Sequence, residues 1–447
     1  MSQVFDLILR GGTVVTPGGA AETDIGVIGE RIAHIGDLSQ AAAGEIYGAK
    51  GLHILPGVID SQVHFREPGL EYKADLETEA RSAALGGVTA VFEMPNTNPS
   101  TITPDLLLDK LARAKGRMDI DHAFYAGATH DNTHLLPEME RMEGCCGVKV
   151  FMGASTGDLL VQDDAGVAAV IKAIKRRAAF HSEDEYRLAE RRPLARTGDW
   201  TSHPEVRDVE SAVMSTKRLL RIARAAGKRI HVLHISTAEE LELLRDAKDV
   251  ASVECLPQHL TLAAPDCYER LKGHAQMNPP IREARHREAL WRAVNAGIID
   301  VLGSDHAPHT LEEKARPYPA SPSGMPGVQT LVPLMLSHVN AGKLSLQRFV
   351  ELTSSGPQRV FGLADKGRIA EGYHADFTVV DMKRTETITA DWSKSKCGWT
   401  PFDGFEATGW PVATIVRGGF VMRDGEIVAR GGGRPVRFNE TLEAVGG

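Results

Sequence analysis

Leu52-His-Ile-Leu-Pro-Gly-Val-Ile59, followed directly by Asp60-Ser-Gln-Val-His-Phe-Arg-Glu-Pro-Gly69, decides the architecture of this chain. An apolar run of strand length ends in a concentration of polar groups. Alternate side chains of a strand share one face, so Gln62, His64 and Arg66 are expected to project together from the end of a buried strand. An imidazole, an amide and a guanidinium on one face are costly to hide, which marks this strand end as a place where ligands meet. Outward from it, residues 53–355 repeat one pattern: short apolar runs alternate with amphipathic stretches, the signature of parallel β/α units. Strands are predicted at 53–59, 88–94, 121–127, 147–152, 178–182, 229–236, 251–257 and 299–305. Helical stretches lie between them, such as 73–85, 104–115, 165–177, 208–227, 238–246 and 283–296. Eight units are what a closed (β/α)8 TIM-like barrel requires, and such barrels carry their chemistry at the C-terminal ends of the strands.

The two ends of the chain echo each other. Asp6-Leu-Ile-Leu-Arg-Gly-Gly-Thr-Val-Val15 and Ala413-Thr-Ile-Val-Arg-Gly-Gly-Phe-Val-Met422 each read as strand, turn at Gly-Gly, strand, and 372–381 adds another strand. Residues 1–52 and 356–447 are therefore expected to build one small flanking β-sandwich domain jointly, with the α/β barrel of 53–355 inserted between its halves.

A formal charge of −8 and dispersed basic residues exclude a nucleic-acid surface, so the countercharges for any anionic substrate must be local. Five cysteines without a C-x-x-C pair suggest reduced, buried thiols rather than a disulfide framework. Asp6 and Arg10 interrupt the only apolar stretch near the N-terminus, and no segment approaches the ~20 apolar residues of a membrane span. The expectation is a soluble cytoplasmic protein that acts on a small molecule.

The C-terminal strand ends, taken in order, present Gln62, His64 and Arg66, then Asn96, Lys149, His181, His234, His259 and Asp305. So many polar groups at one pole of a barrel point to a site. Lys149 sits within Gly147-Val-Lys-Val-Phe151, a strand expected to be buried on both faces, where burial lowers the pKa of an ammonium. A neutral amine there can add carbon dioxide and become a carbamate, an anion with two oxygens able to bridge metal ions. His181 and His234 suit Zn²⁺, and Asp305 could bind metal and exchange a proton with metal-bound water. His231, an odd number of positions from His234, is expected to face away. Arg66 offers a planar fork to a carboxylate beside His64, against the alternative of a surface ion pair with Glu67 or Glu71.

These residues resemble the amidohydrolase superfamily and, within it, the dihydroorotase group. The matching stretches are 60–69, 94–99, 148–161, 230–237, 278–282, 304–309 and 397–402. The resemblance implies a (β/α)8 barrel with a flanking β domain from both termini, and a binuclear zinc site. One metal would be held by His64 and Asp305 with a partner at position 62, the other by His181 and His234, with carboxylated Lys149 and a hydroxide between them. It further implies that the hydroxide attacks a ring amide while Asp305 shuttles the proton, interconverting dihydroorotate and N-carbamoyl-L-aspartate in pyrimidine biosynthesis. Arg66, Asn96 and His309 would hold the substrate carboxylate, with Asn278 along the ring.

Gln62 departs from the resemblance, because most relatives carry His-x-His where this chain has Gln-Val-His. An amide oxygen is a weaker zinc ligand than imidazole, which leaves one or two ions per chain open. A hydantoinase or allantoinase is the nearest alternative, and Arg66 argues against it. A non-catalytic subunit that supports aspartate transcarbamoylase is the alternative of a different class. A homo-oligomer, with a dimer as one option, is also expected. Residues 153–163 and 310–327, rich in Gly, Pro and Ser, are expected to be loops over the mouth.

Overall fold

A computed structural model describes residues 4–154 and 159–439. The chain begins with strands β1 (Phe5–Thr16), β2 (Gly19–Ile28), β3 (Arg31–Gly36), β4 (Ala43–Gly48) and β5 (His53–Pro56). Eight parallel strands follow: β6 (Val58–Val63), β7 (Val88–Glu93), β8 (Asp121–Gly127), β9 (Cys145–Phe151), β10 (Ala178–His181), β11 (Ile230–Val232), β12 (Ala251–Cys255) and β13 (Val301–Leu302). They pair in sequence order, and the ring closes through a parallel bridge between Val63 and His306, with His64 N donating to His306 O at 2.7 Å. The expected barrel is therefore present. Its helices start where capping side chains satisfy the first turn: Asp75, Thr103, Asp163, Asp208 and Thr237 each accept from a backbone N–H of the helix that follows. Val58, Val88, Val150, Phe180 and Val232 belong to the core between strands and helices, while Ile59, Phe92, Ala123, Tyr125 and Ala179 fill the barrel interior. Phe361 and Phe438, from segments after the barrel, pack into this inner cluster.

After the barrel come β14 (Phe377–Ile388), β15 (Phe405–Val416), β16 (Gly419–Arg423) and β17 (Glu426–Ile427). With β1–β5 they form one nine-stranded mixed sheet in the order β17-β16-β15-β14-β5-β1-β2-β3, with β4 also on β1. The two ends of the chain thus meet at the antiparallel pair β5/β14, where Pro56 faces Phe377.

Two expectations need correction. His53–Pro56, expected from sequence to open the first barrel strand, instead pairs with β1 and β14 in the nine-stranded sheet. Pro56, with no N–H to donate, and Gly57 break the apolar run into two strands of different sheets. Gly11-Gly12 is not a turn: β1 runs straight through it with a register shift opposite β2, Gly11 adopting φ 70° and donating its N–H to Asp24 Oδ1 at 2.8 Å. Arg417-Gly418 is a tight hairpin turn between β15 and β16, both residues at positive φ.

Candidate metal and anion site

Lys149, His181, His234, Asp305 and His64 converge at the C-terminal mouth of the barrel. Lys149 and His181 sit within β9 and β10, where Lys149 pairs with Ala179 in register. The others lie beyond their strands. Arg66, His234 and Asp305 take φ of 71°, 36° and 44°, so strict alternation ends with each strand and the backbone turns these side chains toward the mouth. This corrects two orientations expected from sequence. Arg66 is not in line with Gln62 and His64 on a strand face, and His231 does not face outward. His231 lies level with Ala179 and Ser252 and touches Phe361 in the barrel interior, with its Nδ1 2.9 Å from Ser252 Oγ.

The donors form two pairs. His64 Nε2 lies 3.1 Å from Asp305 Oδ1, and His181 Nδ1 lies 3.1 Å from His234 Nε2. Burial lowers the pKa of all three imidazoles, which favours their neutral form. His64 Nδ1 is 2.8 Å from Asn96 Oδ1 and must donate its proton there. Its Nε2 faces a carboxylate oxygen of Asp305, a contact made favourable by a proton on that nitrogen or by a cation between the two. His181 Nε2 is likewise committed to Glu183 Oε2 at 2.8 Å, which leaves Nδ1 as a lone pair beside His234. Among the described residues no three His, Cys, Asp or Glu side chains form a metal-holding group by themselves. Lys149 is the buried ionisable group whose charge acts on both pairs. It is 1% exposed, its charge lowers the pKa of His64, His181, His234 and Asp305 alike, and burial pulls its own pKa down to about 7. Imidazole nitrogens beside a carboxylate are donor chemistry that fits a metal ion.

Gln62 behaves as an amide donor: Nε2 gives a hydrogen bond to Asp305 Oδ1 at 3.0 Å, while its buried Oε1 has no partner. Burial pushes Asp305 upward, but the hydrogen bond and charge of His64, with His234 and Lys149, outweigh it and keep the carboxyl well below the usual range. Beneath the pairs lies Glu254, a residue that the sequence reading missed. It accepts from Ser61 Oγ at 3.2 Å and is pushed up to about 8 by burial and the Asp305 charge. Its signal was the one that exposed Lys149, an ionisable residue inside an apolar strand.

Beside the pairs opens a recess of about 710 Å³ lined by Arg66, Lys73, Asn96, Leu159 and His309 among others. Arg66 is 2% exposed, and its Nε donates to Pro308 O at 3.1 Å. Glu67 is taken by Arg117 at 2.7 Å and Glu71 lies 4.0 Å from Arg113, so neither member of the expected Arg66 surface pair engages it. No carboxylate lies within ion-pair distance of Arg66 among the described residues. Lys73, also missed from sequence, reaches His309 Nδ1 at 3.1 Å and Glu313 at 3.0 Å. Asn278 lies in a neighbouring recess of about 400 Å³ with His203 and Arg207, and Pro322 borders both. His259, buried, lies 3.1 Å from Pro279 O through Nε2, a structural contact. Of the two expected loops, 155–158 lie outside the described residues. The 310–327 segment is tied down by buried Lys314, which donates to the carbonyls of Gln276, Pro322 and Gly324.

The model of the Amidohydrolase family matches residues 53–421. A dihydroorotase of Halobacterium salinarum is 36% identical over 449 aligned residues, covering 98% of this chain and 100% of that protein. An L-hydantoinase of Paenarthrobacter aurescens is 33% identical over 455 residues, covering 96% of this chain and 97% of that one. The solved structure of an L-hydantoinase (dihydropyrimidinase) from Arthrobacter aurescens superposes with a TM-score of 0.92 at 31% identity, over 97% of this chain and 99% of that chain. Barrel, paired donors and sequence agree with a match across most of the chain: it belongs to the amidohydrolase family.

Proposed function

We propose that the protein is a cytoplasmic dihydroorotase, interconverting (S)-dihydroorotate and N-carbamoyl-L-aspartate. One observation carries this choice of substrate: Arg66 is a buried cation with no carboxylate partner among the described residues, in the wall of the recess beside the paired donors. A ring that carries a carboxylate completes it, and leaving such a charge unpaired is costly. His64 and Asp305 on one side, and His181 and His234 on the other, would hold Zn²⁺, with carboxylated Lys149 between. The bound metal supplies a Lewis acid and lowers the pKa of water. Asp305 Oδ1 is engaged by Gln62 and His64, so Oδ2 takes the proton released when water adds to the ring carbonyl and returns it to the ring nitrogen as the C–N bond breaks. Arg66, with Lys73 and His309, fixes the carboxylate; Asn96 fixes the His64 tautomer, and Asn278 borders the adjoining recess.

The similarity to L-hydantoinases favours a second reading, a cyclic amidase for rings without a carboxylate. Turnover of dihydroorotate, hydantoin and allantoin by protein purified without chelator decides between them, and activity confined to the latter two refutes the proposal. Absence of both metal and hydrolysis would favour the non-catalytic scaffold for aspartate transcarbamoylase. Sedimentation of the purified protein tests the expected homo-oligomer, and a monomer would refute it.

A further inference from the structure

A second recess, of about 350 Å³, opens where β10 and β11 begin, at the end of the barrel opposite the mouth. Six cationic side chains line it, Lys175, Arg176, Arg177, Lys228, Arg229 and Arg359, and no carboxylate does. In a chain of net charge −8 this is a concentrated exception. Arg177 and Arg229 immediately precede β10 and β11, so the barrel itself brings them together.

Half of the set makes side-chain contacts with uncharged groups, and the Glu140 carboxylate accepts from the backbone N–H groups of Lys175 and Arg176. Arg176 is buried, stacks 4.4 Å from the Phe438 ring and donates to the carbonyls of Glu140, Cys145 and Cys146. Lys228 Nζ donates to Ile174 O at 2.9 Å, and Arg177 Nη1 to Ser252 Oγ at 2.7 Å. These partners carry no charge. Arg359 reaches Glu351 at 3.3 Å, whereas the exposed side chains of Lys175 and Arg229 make no hydrogen bond or ion pair among the described residues. Gly227 and Gly362 form part of the lining, and open space lies where their Cβ atoms would stand, so a ligand can approach the backbone there. Several like charges facing one hollow repel one another, and a multiply charged anion relieves that repulsion. Guanidinium forks match phosphoryl oxygens, and the volume is that of a small-molecule site.

We propose that this recess binds a compact polyphosphate group, either free or as the phosphate end of a nucleotide. The test is calorimetric titration of the full-length metal-loaded protein with tripolyphosphate at fixed ionic strength, with metal content checked before and after, alongside Lys175→Gln/Arg229→Gln. Saturable binding to the wild type is expected, weakened about tenfold for each cation removed, while hydrolytic activity without added polyphosphate stays unchanged in the variant. Tighter binding of a nucleoside triphosphate than of tripolyphosphate identifies a nucleotide as the source, and equal binding identifies the free anion. No saturable binding below about 1 mM, or equal binding by wild type and variant, overturns the proposal.

Discussion

Replacing Arg66 with Gln tests the substrate assignment most directly. Of the five N–H groups of the guanidinium, the one on Nε is committed to Pro308 O, and Nη2 lies 3.2 Å from His309 Nε2. At least three hydrogens remain for a ligand. Two charge-assisted hydrogen bonds to a carboxylate are worth roughly 1.5–3 kcal/mol each, so about 3–6 kcal/mol of binding is at stake. Burial already strains the cation, pulling its pKa down to about 10, and the variant is relieved of that cost. The lower half of the range therefore applies. A loss of about 10²–10³ in kcat/KM for dihydroorotate is expected, with little change for a hydantoin that lacks the carboxylate, and with a Tm within a few degrees of wild type because Gln can still reach Pro308 O. Initial rates on both substrates measure this. A loss of less than about tenfold, or an equal loss on the uncharged ring, would refute the carboxylate clamp.

Burial places Lys149 near pH 7, so reactivation of carbon dioxide-depleted protein by bicarbonate and zinc should slow as pH falls through about 7; a midpoint near that of a free lysine would refute the neutral amine. Gln62→His adds an imidazole beside Asp305, and elemental analysis after dialysis should show a rise from about one retained ion to about two. An unchanged count would show that Gln62 does not limit the site. Burial pushes Glu183 up, but Arg207 and His181 outweigh it and hold the carboxyl well below the usual range. Stability from this cluster is therefore complete above the unfolded value of about 4.3 and lost as pH falls below it. Glu183→Gln should cost about 3–5 kcal/mol at pH 7 by stranding Arg207. Melting curves of metal-free protein should converge for wild type and variant toward pH 3, and parallel curves would contradict the linkage.

The barrel was legible because its strands are buried on both faces and read as apolar runs, and Lys149 because it interrupts one of them. His64, His181, His234 and Asp305 were legible as polar residues just past such runs. Orientation was not. A period of two holds only while the chain is extended, and Arg66, His234 and Asp305 stand where it leaves the strand at positive φ, so parity misplaced Arg66 and His231. Lys73 and Arg207 carried no local mark, since each gains its meaning from a partner distant in sequence: His309 for Lys73 and Glu183 for Arg207. The cationic hollow escaped notice for the same reason, its residues being drawn from segments near 175, 228 and 359.

The pairing of β5 with β14 sets an order of events during synthesis. β5 ends at Pro56 and its partner begins at Phe377, so the whole barrel must emerge from the ribosome before the sheet can be completed, roughly 15–60 s at 5–20 residues per second. Throughout that interval Ile54 and Leu55, fully buried in the finished protein, lie along an open strand edge that invites pairing with other chains. Chains truncated before Phe377 never cover that edge. The joint sheet thus makes completion of the polypeptide a condition for hiding its stickiest segment, and interrupted products remain recognisable to chaperones and proteases.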